Sequence, residues 1–108
     1  MAEPLVVDWL GQEFSEVRPG IHGATIDSDE LTVTVYRYEP GASWEEHEHP
    51  EDQVTTVVSG GEIEFTVGGR PLRLGPGQLA LIPGGVPHGA RNGDEEVLAL
   101  NVWRLRRR

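Results

Sequence analysis

Glycine and proline recur too often along this chain for long helices to form. There are 14 Gly and 8 Pro among 108 residues, and each either frees the backbone or removes a helix donor. Between these breaks, short segments alternate apolar and polar residues with period two, as strands with one buried face do. LTVTVYRY (31–38) sets Leu31, Val33 and Val35 against Thr32, Thr34 and Tyr36. EIEFTV (62–67) sets Ile63, Phe65 and Val67 against Glu62, Glu64 and Thr66. VTTVVS (54–59), PLRL (71–74), QLALI (78–82) and EEVLALNVW (95–103) read as further strands. Gly60-Gly61 reads as a hairpin, Gly68-Gly69 as a second turn, GPG (75–77) as a bend and Asn92-Gly93-Asp94 as another turn. The first 30 residues are less regular; Leu5–Leu10 reads as an edge strand and Pro19-Gly20 as a turn. Short strands with turns at this spacing predict an all-β sandwich or barrel. The length allows one domain, residues 1–108, with a thin core.

Charge narrows the partners. Residues 1–103 carry 18 acids against 5 Arg, and there is no Lys. Such a body repels phosphate backbones, so nucleic acid is not an expected partner. Four of the nine Arg lie in the tail at residues 104–108, which reads as a solvated end, a docking arm or a contact with an acidic neighbouring subunit. With no Cys there is neither a disulfide framework nor a thiolate metal site. No apolar run is long enough for a membrane span and no signal peptide is visible, so a cytoplasmic location is expected.

Three of the four histidines carry the chemistry. His47 and His49 are two apart, so on an extended strand both imidazoles reach toward one point. Gln53 has the same parity and opens the next strand after Pro50-Glu51-Asp52. His88 follows the loop IPGGVP, 39 residues after His49. Three imidazole nitrogens and one amide oxygen suit one divalent transition metal, without choosing among Mn, Fe, Ni, Zn and Cu.

The stretch from Gly41 through His47, His49 and Gln53 to Gly60 resembles the first cupin motif, G(x)5HxH(x)3-4E(x)6G, at every spacing. The stretch from Gly77 through Pro83, Gly85 and His88 to Asn92 resembles the second, G(x)5PxG(x)2H(x)3N. The resemblance, carried by residues 41–60 and 77–92, implies a small single-domain cupin: a double-stranded β-helix, related to the jelly roll. It also implies the ligand set His47, His49, Gln53 and His88. Gln53 departs from the general motif, where Glu stands. This set of three histidines and one glutamine, together with HEHPEDQ (47–53), GEIEFTVGG (61–69) and PGGVPH (83–88), is similar to the pectin-pathway cupins that linearise unsaturated uronates. Those proteins tend to carry an acid two residues before an aromatic on the last strand, where this chain has Asn101 and Trp103. Asn does not exchange a proton at neutral pH.

Ala99, Asn101 and Trp103 share a face opposite Leu98, Leu100 and Val102, so Asn101 and Trp103 either line a pocket or complete the core. Tyr36 and Tyr38 share a face and are candidate pocket donors. Arg91 is a candidate carboxylate clamp. Glu45, Glu46, Glu48, Glu51 and Asp52 form an acidic rim or orient the ligand imidazoles. His22 lies outside both motifs and is either a structural residue or a pocket residue. Three functions remain open. The first is a metal-dependent isomerase, cyclase or lyase on a small oxygen-rich substrate such as a sugar acid. The second is a dioxygenase on a diketone or flavonol-like substrate. The third is a binding or sensing module without turnover. A homodimer is expected, because a thin core gains from further buried area.

Overall fold

The computed structural model describes residues 4–104. Ten strands follow one another: β1 (Ser15–Arg18), β2 (Ile21–Asp27), β3 (Leu31–Tyr38), β4 (Ser43–His47), β5 (Gln53–Gly60), β6 (Ile63–Val67), β7 (Arg70–Leu74), β8 (Leu79–Ile82), β9 (His88–Asn92) and β10 (Val97–Arg104). They form two sheets. The larger runs β1-β2-β3-β10-β5-β8 and the smaller β4-β9-β6-β7, with every strand pair antiparallel. No helix among the described residues is long and apolar enough to cross a membrane.

Every strand expected from alternation is present within two residues of its expected ends. Two expectations need correction. β5 and β6 do not pair: β5 sits between β10 and β8, and β6 between β9 and β7. Gly60-Gly61 therefore carries the chain from one sheet to the other. Gly60 takes φ 101°, and a Cβ there would lie 2.0 Å from the Glu96 carbonyl oxygen, so the crossover requires glycine. Leu5–Leu10 forms no strand; the chain turns through a short 3-10 segment at Trp9–Gly11, where the Asp8 side chain accepts from the Gly11 N–H. The tail beyond Arg104 lies outside the described residues. Gly68-Gly69 does close a hairpin, β6 to β7, as its turn chemistry predicts.

The two sheets bury one shared interior. Ile21, Val57, Ile63, Val97 and Ala99 are at most 1% exposed and pack with Phe65, Leu74 and Tyr38. Burying each large aliphatic side chain stabilises the fold by roughly 1.5–3 kcal/mol. The inner face of β10 shows where this core stops. Val97 and Ala99 are sealed, whereas Asn101 and Trp103, further along the same face, are half-buried. β5 repeats the change in chemistry, from Val57 through Thr55 to Gln53. One end of the sandwich is thus filled with hydrocarbon along these strands, and polar side chains gather at the other.

Candidate metal centre

The polar end is assembled by register. His47 on β4 pairs with His88 on β9, and Gln53 on β5 pairs with Trp103 on β10. His49 lies just beyond β4, and the 83–87 loop is fastened to it. Gly85 N–H donates to the His49 carbonyl at 2.7 Å, and Gly84 N–H donates to Asp52 Oδ1 at 2.8 Å. A Cβ on Gly84 would lie 2.0 Å from the Pro50 carbonyl oxygen, so the loop approaches this closely only with glycine there. Ring centroids are 4.4 Å apart for His47 and His88, 5.0 Å for His49 and His88, and 5.9 Å for His47 and His49. A ligand nitrogen from each of the three lies within 4.8 Å of the others.

Hydrogen bonds fix what these nitrogens present. Each Nδ1 lies close to a backbone carbonyl: His47 to Glu45 at 3.0 Å, His49 to Glu51 at 2.9 Å and His88 to Val86 at 2.9 Å. Neutral imidazoles in this arrangement donate from Nδ1 and turn an Nε2 lone pair inward. His88 Nε2 is buried and has no hydrogen-bond partner. Burial pushes the His88 pKa below the ordinary histidine value, against its bond to Val86 and with the help of the two neighbouring imidazoles. Gln53 is 5% exposed, and its Nε2 donates to Thr55 Oγ1 at 2.7 Å. That bond turns Oε1 toward His49 Nε2, 2.9 Å away. In the neutral tautomer whose Nδ1 donates, His49 Nε2 is an acceptor facing another acceptor, an arrangement that a shared cation resolves. An unpartnered buried nitrogen, two further imidazoles and one amide oxygen fit a first-row divalent ion.

Beside these donors opens a cavity of about 210 Å³. Tyr36, Tyr38, Asn101 and Trp103 line it, as the shared faces of β3 and β10 predict. Trp103 stacks beside His49 with centroids 6.0 Å apart and planes at 27°. Burial raises the pKa of both tyrosines, so near neutrality they are hydrogen-bonding phenols rather than bases. Trp44 and Phe65 complete the wall. Trp44 was hidden from alternation because the β4–β9 register shifts between Trp44 and His47, and the irregularity brings an odd-spaced residue to the histidines' side. Phe65 was legible as an inward residue of β6, although nothing in its spacing marked it as a wall residue. Thr55, which orients Gln53, was signalled by sharing its parity on β5.

Three expectations fall elsewhere. Arg91 does not line the cavity. It is three residues from His88 on one strand, so it projects from the opposite face and sits in a shallow depression with Glu64 and Glu46. His22 also lies away from the cavity, where its Nε2 meets Glu39 Oε2 at 2.6 Å. Glu16, beside them, accepts from the Gly20 N–H. The acidic residues near the histidines meet the rings chiefly through the backbone carbonyls of Glu45 and Glu51; the Glu51 carboxylate also lies 3.8 Å from His49 Nδ1, and the Asp52 carboxylate caps the loop.

Comparison with known proteins agrees with this geometry. Residues 34–103 match the cupin domain family, Cupin_2. Dimethylsulfoniopropionate lyase DddQ of Ruegeria pomeroyi is 36% identical over 83 residues, covering 76% of this chain and 41% of that protein. H2HPP isomerase of Bacillus subtilis is 44% identical over 107 residues, covering 95% of this chain and 41% of that protein. The chain therefore spans about two-fifths of the length of the curated relatives it matches. Among solved structures, KdgF from Halomonas sp. superposes with a TM-score of 0.86 at 25% identity, covering 98% of this chain and 96% of that one.

Proposed function

This chain belongs to the cupin domain family, a double-stranded β-helix, and from that footing we propose that it is a metal-dependent enzyme of the isomerase, cyclase or lyase type. Its substrate is a small molecule that presents two neighbouring oxygens to the centre. The observation that carries the reading is the convergence of three imidazoles, their Nδ1 atoms all held by carbonyls, on the oriented oxygen of Gln53. The names of the two curated relatives, a lyase and an isomerase, support the non-oxidative class.

His47, His49, Gln53 and His88 would hold the ion, which when bound supplies Lewis acidity toward chelated substrate oxygens. All four donors are neutral, so a divalent ion keeps its full charge, where a carboxylate in place of Gln53 would cancel one unit. The rest belongs to the chain. Asn101 offers an amide donor and acceptor beside the bound oxygens and holds the substrate without exchanging a proton. The Tyr36 phenol, kept protonated by burial, donates a hydrogen bond to a developing oxyanion. His47 is exposed at the mouth, so protons exchange with solvent on that side. The apolar walls displace water from the remainder of the cavity.

The lining residues include no carboxylate and no lysine, and this favours one competing reading, a binding module without turnover. Two measurements separate them. Metal content by mass spectrometry, on protein purified without chelators, is expected near one ion per chain in the wild type and to collapse in His88→Ala. Metal-loaded protein is then incubated without oxygen with hydroxy-carbonyl compounds and followed by NMR. Product whose rate falls in Tyr36→Phe supports the enzyme; tight binding without product selects the binding module. Oxygen consumption matched to substrate loss would instead support a dioxygenase.

We also propose a homodimer through the outer face of the larger sheet, where Leu31, Leu79 and Leu81 are exposed. Sedimentation of a Leu79→Glu, Leu81→Glu variant as a monomer, against a wild-type dimer, would support it.

A further inference from the structure

Resting on the metal-centre reading, we propose that the cavity accepts a substrate whose body is a single apolar ring and whose head is an anionic chelating pair of oxygens, rather than a polyhydroxylated sugar acid. The walls beyond the histidines are the rings of Tyr36, Trp44, Phe65 and Trp103. Tyr36 is braced on two sides: it meets Trp44 edge-on with centroids 5.3 Å apart and Tyr38 at 6.2 Å. Aromatic pairs set in this way form a preorganised surface, which lowers the ordering cost of binding.

Size and polarity point the same way. An apolar cavity of roughly 150 Å³ takes up benzene, so about 210 Å³ holds one substituted ring with space left for a polar head. Away from the metal ligands, the side-chain polar groups of the lining are two phenols, the Asn101 amide and the indole N–H groups. A sugar acid would bring several hydroxyls against ring faces, and each one buried without a partner weakens binding. No cation is among the lining residues: Arg91 lies on the outer face, and the Arg18 guanidinium is set over the Trp44 ring, 4.9 Å from its centroid. Among the lining residues, negative charge is welcome at the centre itself, because four neutral donors would leave a bound ion's charge uncompensated. Head and body are thereby assigned to opposite sides of the cavity.

The test uses calorimetric titration with three probes: mandelate and lactate, which share a 2-hydroxy-acid head and differ by a ring, and galacturonate. Mandelate is expected to bind at least tenfold more tightly than lactate, in both zinc-loaded and metal-free protein. Trp44→Leu should cut that ratio below threefold with lactate affinity unchanged, and Trp44→Phe should keep most of it. A wild-type ratio near one, or galacturonate binding more tightly than mandelate, overturns the proposal even where the variants fail to fold. The two readings fail separately. Affinities for mandelate and lactate that zinc leaves unchanged, at a tenfold ratio, sink the metal centre and leave the ring preference standing, whereas equal zinc-dependent gains for both acids at a ratio of one do the reverse.

Discussion

Thr55→Val isolates the step by which the fold aims Gln53. The substitution keeps the side chain's shape and removes the hydroxyl that accepts from Gln53 Nε2 at 2.7 Å. Thr55 is 1% exposed and Gln53 5%, so no water replaces the lost acceptor. A buried donor left without a partner costs roughly 1–3 kcal/mol. Urea denaturation of the metal-free protein should therefore show a loss of stability in that range, with the m-value unchanged. The amide is also released to rotate, so Oε1 no longer faces His49. Removing such an orienting partner lowers metal affinity by roughly 10–100-fold, which a competition titration against a chromophoric chelator reads directly. Thr55→Ser restores the hydroxyl and should recover most of the affinity. If Thr55→Val loses stability but binds metal within twofold of wild type, the hydrogen bond supports packing only, and Gln53 does not depend on it for its aim.

Three further outcomes are expected. Gln53→Glu should tighten divalent-metal binding at least several-fold in the same competition titration, because a carboxylate adds charge attraction, and should slow turnover because it weakens the Lewis acid. Gly84→Ala must push the 83–87 loop away from the Pro50 carbonyl, which its Cβ would otherwise meet at 2.0 Å; a loss of about 2–3 kcal/mol is expected by thermal melting, with weaker metal retention as His88 loosens. The metal-free protein should lose stability as pH falls below the ordinary histidine range. The folded-state pKa of His88 is depressed by burial, so the unfolded chain takes up its proton first and the folded state gains nothing in return. His88→Gln should flatten that part of the stability–pH curve, measured by urea titration at successive pH values.

What the sequence disclosed, and what it withheld, divides along local and non-local lines. Strand positions and the four candidate ligands were legible because alternation and turn residues are local properties. The outward position of Arg91 was encoded too, in its odd spacing from His88 along one strand, although the expectation was a clamp in the site. The Gly60-Gly61 crossover was not legible: a glycine pair marks a change of direction, but only the competition among all ten strands decides that β5 prefers β10 and β8 over β6. Trp44 was masked by an irregularity in pairing that leaves no mark on composition. The loss of Leu5–Leu10 as a strand has a similar cause. Its residues suit a strand, yet β1 already occupies the edge of the larger sheet beside β2.

The carbonyl acceptors behind the three imidazoles have a consequence for how such a site varies over time. Main-chain oxygens at Glu45, Glu51 and Val86 survive every substitution at those positions, because every amino acid brings the same carbonyl. A carboxylate doing that task would be erased by a single codon change. The tautomers at the centre are therefore inherited with the path of the backbone, and the side chains on the rim stay free to drift, so lineages can exchange rim charges, and with them substrate preference, without first dismantling the centre.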